Sequence, residues 1–138
     1  MRIRTNASRF LALGSILAGT AVAAGAFGAH MLKGMLDTSM LAVYDTATRY
    51  QMYHALALCI VSRAIARKPE SGLEIVGWLF CIGTLIFCGS LYALSVTGFK
   101  WFGAVTPLGG VAFIAGWVVL TVRVWQGRVD EDISREAS

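Results

Sequence analysis

The sequence predicts an all-α integral membrane protein, a four-helix antiparallel bundle forming one domain over residues 1–126, and three observations predict it. Of the 138 residues, 57% are hydrophobic and only 14% are charged, outside the range of an ordinary soluble fold. Four apolar runs, 10–29, 46–66, 73–96 and 106–124, each reach about the 20 residues that cross a bilayer. The connections between them are short, so consecutive runs pack as antiparallel neighbours within the lipid bilayer. The net charge of +4 is scattered among apolar runs and makes no continuous basic face, so no nucleic-acid partner is expected.

The first run follows Arg2, Arg4 and Arg9 and ends in GAFGAH, residues 25–30. Its arginines, apolar core and Ala-Val-Ala or Ala-Gly-Ala triplets fit a secretory signal, but the core is longer than the roughly 7 to 15 residues of such signals. Small residues recur four apart along it: Gly14 with Ala18, Ser15 with Gly19, Ala21 with Gly25, Ala24 with Gly28. In lipid such ridges let helix backbones approach and hold by dispersion. Gly83, Gly89 and Ser90 on the third run, and Gly109, Gly110 and Gly116 on the fourth, are read the same way.

Asp37, Thr38 and Ser39 offer caps for the second helix, and Pro69 closes the turn after it. Thr106 before Pro107 matches a helix cap followed by a first-turn proline and sets the expected start of the fourth helix. Trp78 and Trp125 are expected near one membrane interface, and Phe99, Trp101 and Phe102 near the other. The segment 127–138, rich in Asp, Glu and Arg, reads as a polar tail.

Orientation comes from the Lys and Arg residues. Arg2, Arg4 and Arg9, then Arg63, Arg67 and Lys68, then Arg123, Arg128 and Arg135 share one side, against Lys33 and Lys100 on the other, with Arg49 at a helix entrance. Four crossings with that asymmetry put both termini in the cytoplasm, the polypeptide lying in the bacterial inner membrane.

The candidate site is built on histidines. Tyr50 and His54 are four apart, Gln51 and His54 three apart, so they share a helix face, and Asp45 precedes Arg49 by four, the favourable order for an ion pair. His30 ends the first helix on the same side of the membrane and is expected to approach His54. Ionisable groups in membrane spans default to functional candidates, so His30, Arg49, Tyr50, Gln51 and His54 form a candidate ligand site. A hydrogen-bonded staple between two helices uses the same residue types, and the two readings stand side by side.

A bis-histidine haem needs both imidazoles at one depth, and His30 is too superficial; zinc needs more ligands than two histidines. No metal and no cofactor are expected. Cys59, Cys81 and Cys88 lie in apolar runs without zinc-ligand spacing, and the two helical turns between Cys81 and Cys88 hold their α-carbons ~10 Å apart, too far for a disulfide. The chain carries no nucleophile-base arrangement, paired intramembrane carboxylates or phosphate-binding glycine loop, so no catalytic residue is assigned and an enzyme is not expected.

The stretches GAFGAHMLK, YDTATRYQMYHALAL, GSLYAL and TPLGG with the later GW closely resemble a small bacterial inner-membrane family known as domain of unknown function four hundred twenty-three, itself similar to a eukaryotic mitochondrial small membrane protein. The resemblance runs from Leu13 to Trp125. Gly25, Gly28, His30, Tyr50, Gln51, His54, Gly89, Ser90, Tyr92, Pro107, Gly109, Gly110 and Trp117 fall on its pattern, and the charged carboxyl tail is the departure. The resemblance implies that the first segment is retained, and it implies no reaction. Two function classes follow: a non-enzymatic accessory component that joins a larger membrane complex or another copy of itself, or a transporter or ligand- and lipid-binding protein using the His/Arg/Gln cluster.

Overall fold

The computed structural model describes residues 2–127, with side chains from Asn6 onward; residues 128–138, most of the expected polar tail, lie outside the described residues, as do the side chains of Arg2 and Arg4. Every regular element among the described residues is helical. Helix α1 runs Arg2–His30, α2 Thr38–Arg67, α3 Glu74–Gly83, α4 Gly89–Thr97 and α5 Trp101–Trp125. A π turn, Thr84–Cys88, joins α3 to α4, so the two form a single 24-residue rod, Glu74–Thr97. The bundle therefore has four rods, and three of them are long and apolar enough to cross a membrane: residues 6–34, 74–97 and 101–125.

The second rod is different because its position is different. Helix α2 is the central element, packing on α1, on α3 and α4, and through His54 on α5. Ten of its residues are buried, among them Gln51, His54 and Ser62. Polar side chains that pair inside a bundle lower a helix's mean hydropathy without exposing a polar atom to lipid. Its outward face still carries Tyr53, Leu56 and Ile60.

Two boundaries differ from the sequence expectation. Helix α2 begins at Thr38, where the Asp37 carboxylate accepts hydrogen bonds from the Ser39 and Met40 amides at 2.8 and 3.0 Å, so two turns precede the expected start at residue 46. Helix α5 begins at Trp101, which leaves Pro107 inside it and Thr106 off the cap. The proline removes one amide bond in the second turn, where the carbonyl lost to pairing is that of Gly103. Thr106 turns its hydroxyl to the Phe102 carbonyl (3.1 Å) and to Ser90 (2.7 Å) instead.

Contacts gather the basic positions at one end. Arg123 donates to the Ser71 carbonyl, Lys68 to the Gly127 carbonyl, each at 3.2 Å, and Phe10 near the start of α1 stacks edge-on with Trp78. Lys33 and Lys100 lie at the opposite end, beside the α1–α2 and α4–α5 connections. The core follows α2 and the rod Glu74–Thr97: Leu58, Val61, Ile65, Val76, Phe80 and Cys88 are buried.

Candidate functional site

Helix α2 is tied to α1 by side chains that reach backbone. Tyr44 donates to the Ala24 carbonyl (3.1 Å), Gln51 to the Leu17 carbonyl (2.9 Å) and Ser62 to the Ala7 carbonyl (2.7 Å). Helix carbonyls already accept one bond within the helix and have a second lone pair to offer. Close approach is what brings them in reach. A Cβ on Gly28 would stand 2.8 Å from the Tyr44 ring, and one on Gly14 2.8 Å from the Ala55 carbonyl and the Cys59 sulfur.

Gln51 is the hub of this seam. Its amide nitrogen also donates to Thr20 Oγ1 at 2.8 Å, and its amide oxygen accepts from the Tyr92 hydroxyl at 2.9 Å. Three helices, α1, α2 and α4, thus meet on one side chain. Tyr92 lies 3.3 Å from the Thr48 hydroxyl as well and packs edge-on against Tyr44.

His54 faces the other way, toward α5. Its Nδ1 bonds the Tyr50 carbonyl (2.9 Å), and its Nε2 meets the Trp117 indole N–H (3.2 Å). A carbonyl only accepts and an indole only donates, so the proton must sit on Nδ1 and the imidazole is neutral with both nitrogens used. The ring lies flat on Phe113, centroids 3.4 Å apart and planes 9° from parallel. Phe80 meets it edge-on and Phe87 extends the aromatic layer to Tyr50. Protonation would place an N–H against the indole N–H, and metal or haem ligation would require giving up one of the two bonds.

The five residues read from sequence as one cluster occupy three places. Tyr50 and His54 belong to the α5 seam, and Gln51 to the α1–α4 seam. Arg49 is exposed and pairs with Asp45 at 3.1 Å. His30 is exposed at the end of α1 and does not approach His54. Antiparallel neighbours meet at equal distances from their connecting turn; His30 borders that turn, whereas His54 stands sixteen residues into α2, roughly 24 Å along its axis at 1.5 Å per residue.

Among the glycines read as packing positions, Gly14, Gly28 and Gly109 sit at close approaches, Gly109 directly against the Phe87 backbone. Gly25 has a looser neighbour, Thr48 at 3.4 Å. Gly110 has ordinary contacts, and a Cβ on Gly89 would meet nothing within 4 Å. Gly89 is thus not a packing glycine; it follows the π turn. Sequence reasoning passed over Gly77, whose missing side chain admits the Phe10 ring; nothing along its own helix names the ring opposite. Nor did it pair Trp117 with His54, 63 residues away. Among the described residues no group of three or more His, Cys, Asp or Glu could hold a metal ion.

Polar side chains consumed in joining apolar helices define a small polytopic helical membrane protein. The family model described as protein of unknown function DUF423 matches residues 24–110, and the chain belongs to that family. It is 48% identical over 116 residues to the UPF0382 membrane protein YwdK of Bacillus subtilis, covering 82% of this chain and 93% of that one. It is 44% identical over 117 residues to a UPF0382 membrane protein of Staphylococcus aureus, covering 85% of this chain and 95% of that one. These relatives are named as membrane proteins, and the family carries no catalytic name. No solved structure matches the chain.

Proposed function

We propose that this protein is a non-enzymatic structural or accessory component of the bacterial inner membrane, crossing it four times with both termini in the cytoplasm. The observation that carries the reading is saturation: His54 and Gln51, two bulky polar side chains buried in the bundle, spend their hydrogen-bonding capacity on their own and neighbouring helices. A substrate would have to break those bonds. Among the described residues the buried side-chain polar atom without a partner is Ser71 Oγ, in the turn between α2 and α3 rather than within a rod.

The fourth crossing rests on α2. The lipid-facing strip along the thirteen residues between Arg49 and Arg63 is apolar, and the two arginines stand ~21 Å apart at 1.5 Å per residue. Long basic side chains at either end reach outward to the interfaces, which extends the strip toward the ~30 Å of a hydrocarbon core. The basic clustering at the α2–α3 turn and the end of α5 supports cytoplasmic termini. A partner subunit or a second copy is the accessory role's natural counterpart, since α1 packs chiefly on α2 and turns Ile16, Val22 and Phe27 outward.

Topology is tested by reporter fusions after Gly34, after Gly72 and after Ser138. Periplasmic signal at the first and cytoplasmic signal at the other two are expected. A periplasmic signal after Ser138, or release of the protein from membranes by alkaline washing, overturns the reading. For the non-enzymatic role, His54→Phe is expected to keep any cellular phenotype of the wild type and lose only stability; loss of the phenotype in a folded His54→Phe protein would favour a site.

A further inference from the structure

Helix α1 and the rod Glu74–Thr97 start at the same end of the bundle and run the same way. They touch where the Phe10 ring enters the space left by Gly77 and meets Trp78 edge-on, ring centroids 5.4 Å apart. Beside that contact opens a groove of about 280 Å³, lined by Asn6, Arg9, Ala12, Leu13, Ile16 and the two rings.

The lining is ordered along α1. Asn6 and Arg9 stand at the end where the helix enters the membrane, and Ile16 lies ten positions beyond Asn6, ~15 Å further in. The inner walls, Ala12, Leu13 and Ile16, carry no side-chain hydrogen-bonding atom, so hydrocarbon suits them better than water. The mouth is the reverse. The Arg9 guanidinium and the Trp78 indole N–H only donate, the Asn6 amide donates too, and none of the three side chains has a hydrogen-bond or ion-pair partner among the described residues. A phosphate offers acceptors alone and matches the planar guanidinium fork.

Net charge narrows the choice of lipid. Among the described residues Arg9, Arg63, Arg67, Lys68 and Arg123 belong to this end against two acids, Glu70 and Glu74, and neither acid lines the groove. A zwitterionic headgroup would bring an ammonium to an end already crowded with cations. A glycerol headgroup brings only its phosphate charge.

We infer that this groove seats one net-anionic phospholipid, its phosphate at Arg9 and Asn6 and an acyl chain running past Leu13 to Ile16. The inference needs α1 to cross the membrane, for which it is long and apolar enough. It depends neither on the number of crossings nor on which leaflet Asn6 faces.

The test uses the full chain in vesicles of equal parts phosphatidylglycerol, phosphatidylethanolamine and phosphatidylcholine with identical acyl chains. Native mass spectrometry after mild detergent release reads the lipid retained. Wild type is expected to keep phosphatidylglycerol over phosphatidylethanolamine by ~3-fold or more, the scale of an exposed ion pair. Arg9→Gln should bring the ratio to parity, whereas Arg63→Gln, an equal loss of charge at the same end but outside the groove, should leave it unchanged. Ala12→Leu, at an exposed position, fills the groove and is expected to lose the retained lipid while circular dichroism reports an intact bundle. Parity in wild type, equal effects of Arg9→Gln and Arg63→Gln, undiminished lipid in Ala12→Leu, or a dimer standing in place of the lipid adduct overturns the inference. Release of the protein by alkaline washing would instead mark failure of the membrane placement itself.

Discussion

The two seams that meet along α2 and its neighbours are built from different chemistry. On one, α1 is hung from α2 by hydroxyl and amide groups that reach backbone carbonyls at Ala7, Leu17 and Ala24. On the other, α5 is clasped by rings: a Cβ on Gly83 would meet Phe113 at 2.5 Å, one on Gly116 would meet Phe80 at 2.5 Å, and Gly109 lies against the Phe87 backbone. Lipid removes the hydrophobic incentive for helices to associate, leaving directional bonds and dispersion. The α1 seam relies mainly on the first and the α5 seam mainly on the second. Bonds tolerate small shifts in distance; interlocked rings and bare backbone do not.

The sharpest way to break this contrast is Gly109→Ala. The added methyl meets the Phe87 backbone rather than a movable side chain, and overpacking of that kind costs ~1–3 kcal/mol. Thermal unfolding in detergent should report it near the upper end. Gly89→Ala on the neighbouring rod faces open space and is expected to leave the midpoint unchanged; equal loss in both would sink the steric explanation.

A smaller loss is expected from Gly14→Ala, ~1–2 kcal/mol by the same overpacking argument. One of its three obstacles is the Cys59 sulfur, which can move, the others being the Ala55 carbonyl and the Leu58 Cβ, so Gly14→Ala with Cys59→Ala should recover part of the loss. Gln51→Leu falls in the same range. Interhelical hydrogen bonds in membranes average about 0.6 kcal/mol, so removing the three at this hub costs ~1–2 kcal/mol when Leu fills the same space. Tyr92→Phe, which leaves the amide oxygen unpaired, should reproduce a third to a half of it. A Gln51→Leu loss above that of Gly109→Ala would reverse the ranking of the two seams.

The smallest effect lies outside the membrane, at the cap of α2. Hydrogen bonds from the Ser39 hydroxyl and then the Met40 amide hold the Asp37 carboxyl below its ordinary value of 3.8. Because that value is depressed in the fold, the cap contributes fully above the ordinary carboxylate range and fades as the pH falls through the lowered value. Hydrogen exchange at the Leu41 amide, bonded to the Asp37 carbonyl, should quicken relative to mid-helix amides over that acid range. Asp37→Ala should show the quickened exchange at neutral pH.

The four rods were legible in the sequence because apolar runs of about 20 residues between short polar connections leave few alternatives. The start of α5 was not, since Thr106-Pro107 has the chemistry of a cap, and only the rod packed beside it makes Trp101 the first residue. Gly14, Gly28 and Gly109 were singled out by residue type and spacing. Their partners were not, because spacing along one helix does not name the atom opposite, and Gly89 was included for the same reason. The shared face of Tyr50 and His54 was readable; the distance of His30 followed from the register of α1 on α2, which the cluster reading had compressed. Trp117 as the partner of His54 had no local signal at all.

The π turn at Thr84–Cys88 carries a consequence for the length of its rod. Val76 and Ser95 are nineteen positions apart, and a regular helix would point them roughly 100° away from each other. Both are nonetheless buried, because the wide turn absorbs one surplus residue. Excising a single residue there, Leu85 for instance, would let the bulge close into regular helix while both halves of the rod keep their facing and Tyr92 stays on Gln51. Adding a residue elsewhere in the rod has no such outlet and would turn its upper half like a mis-cut key.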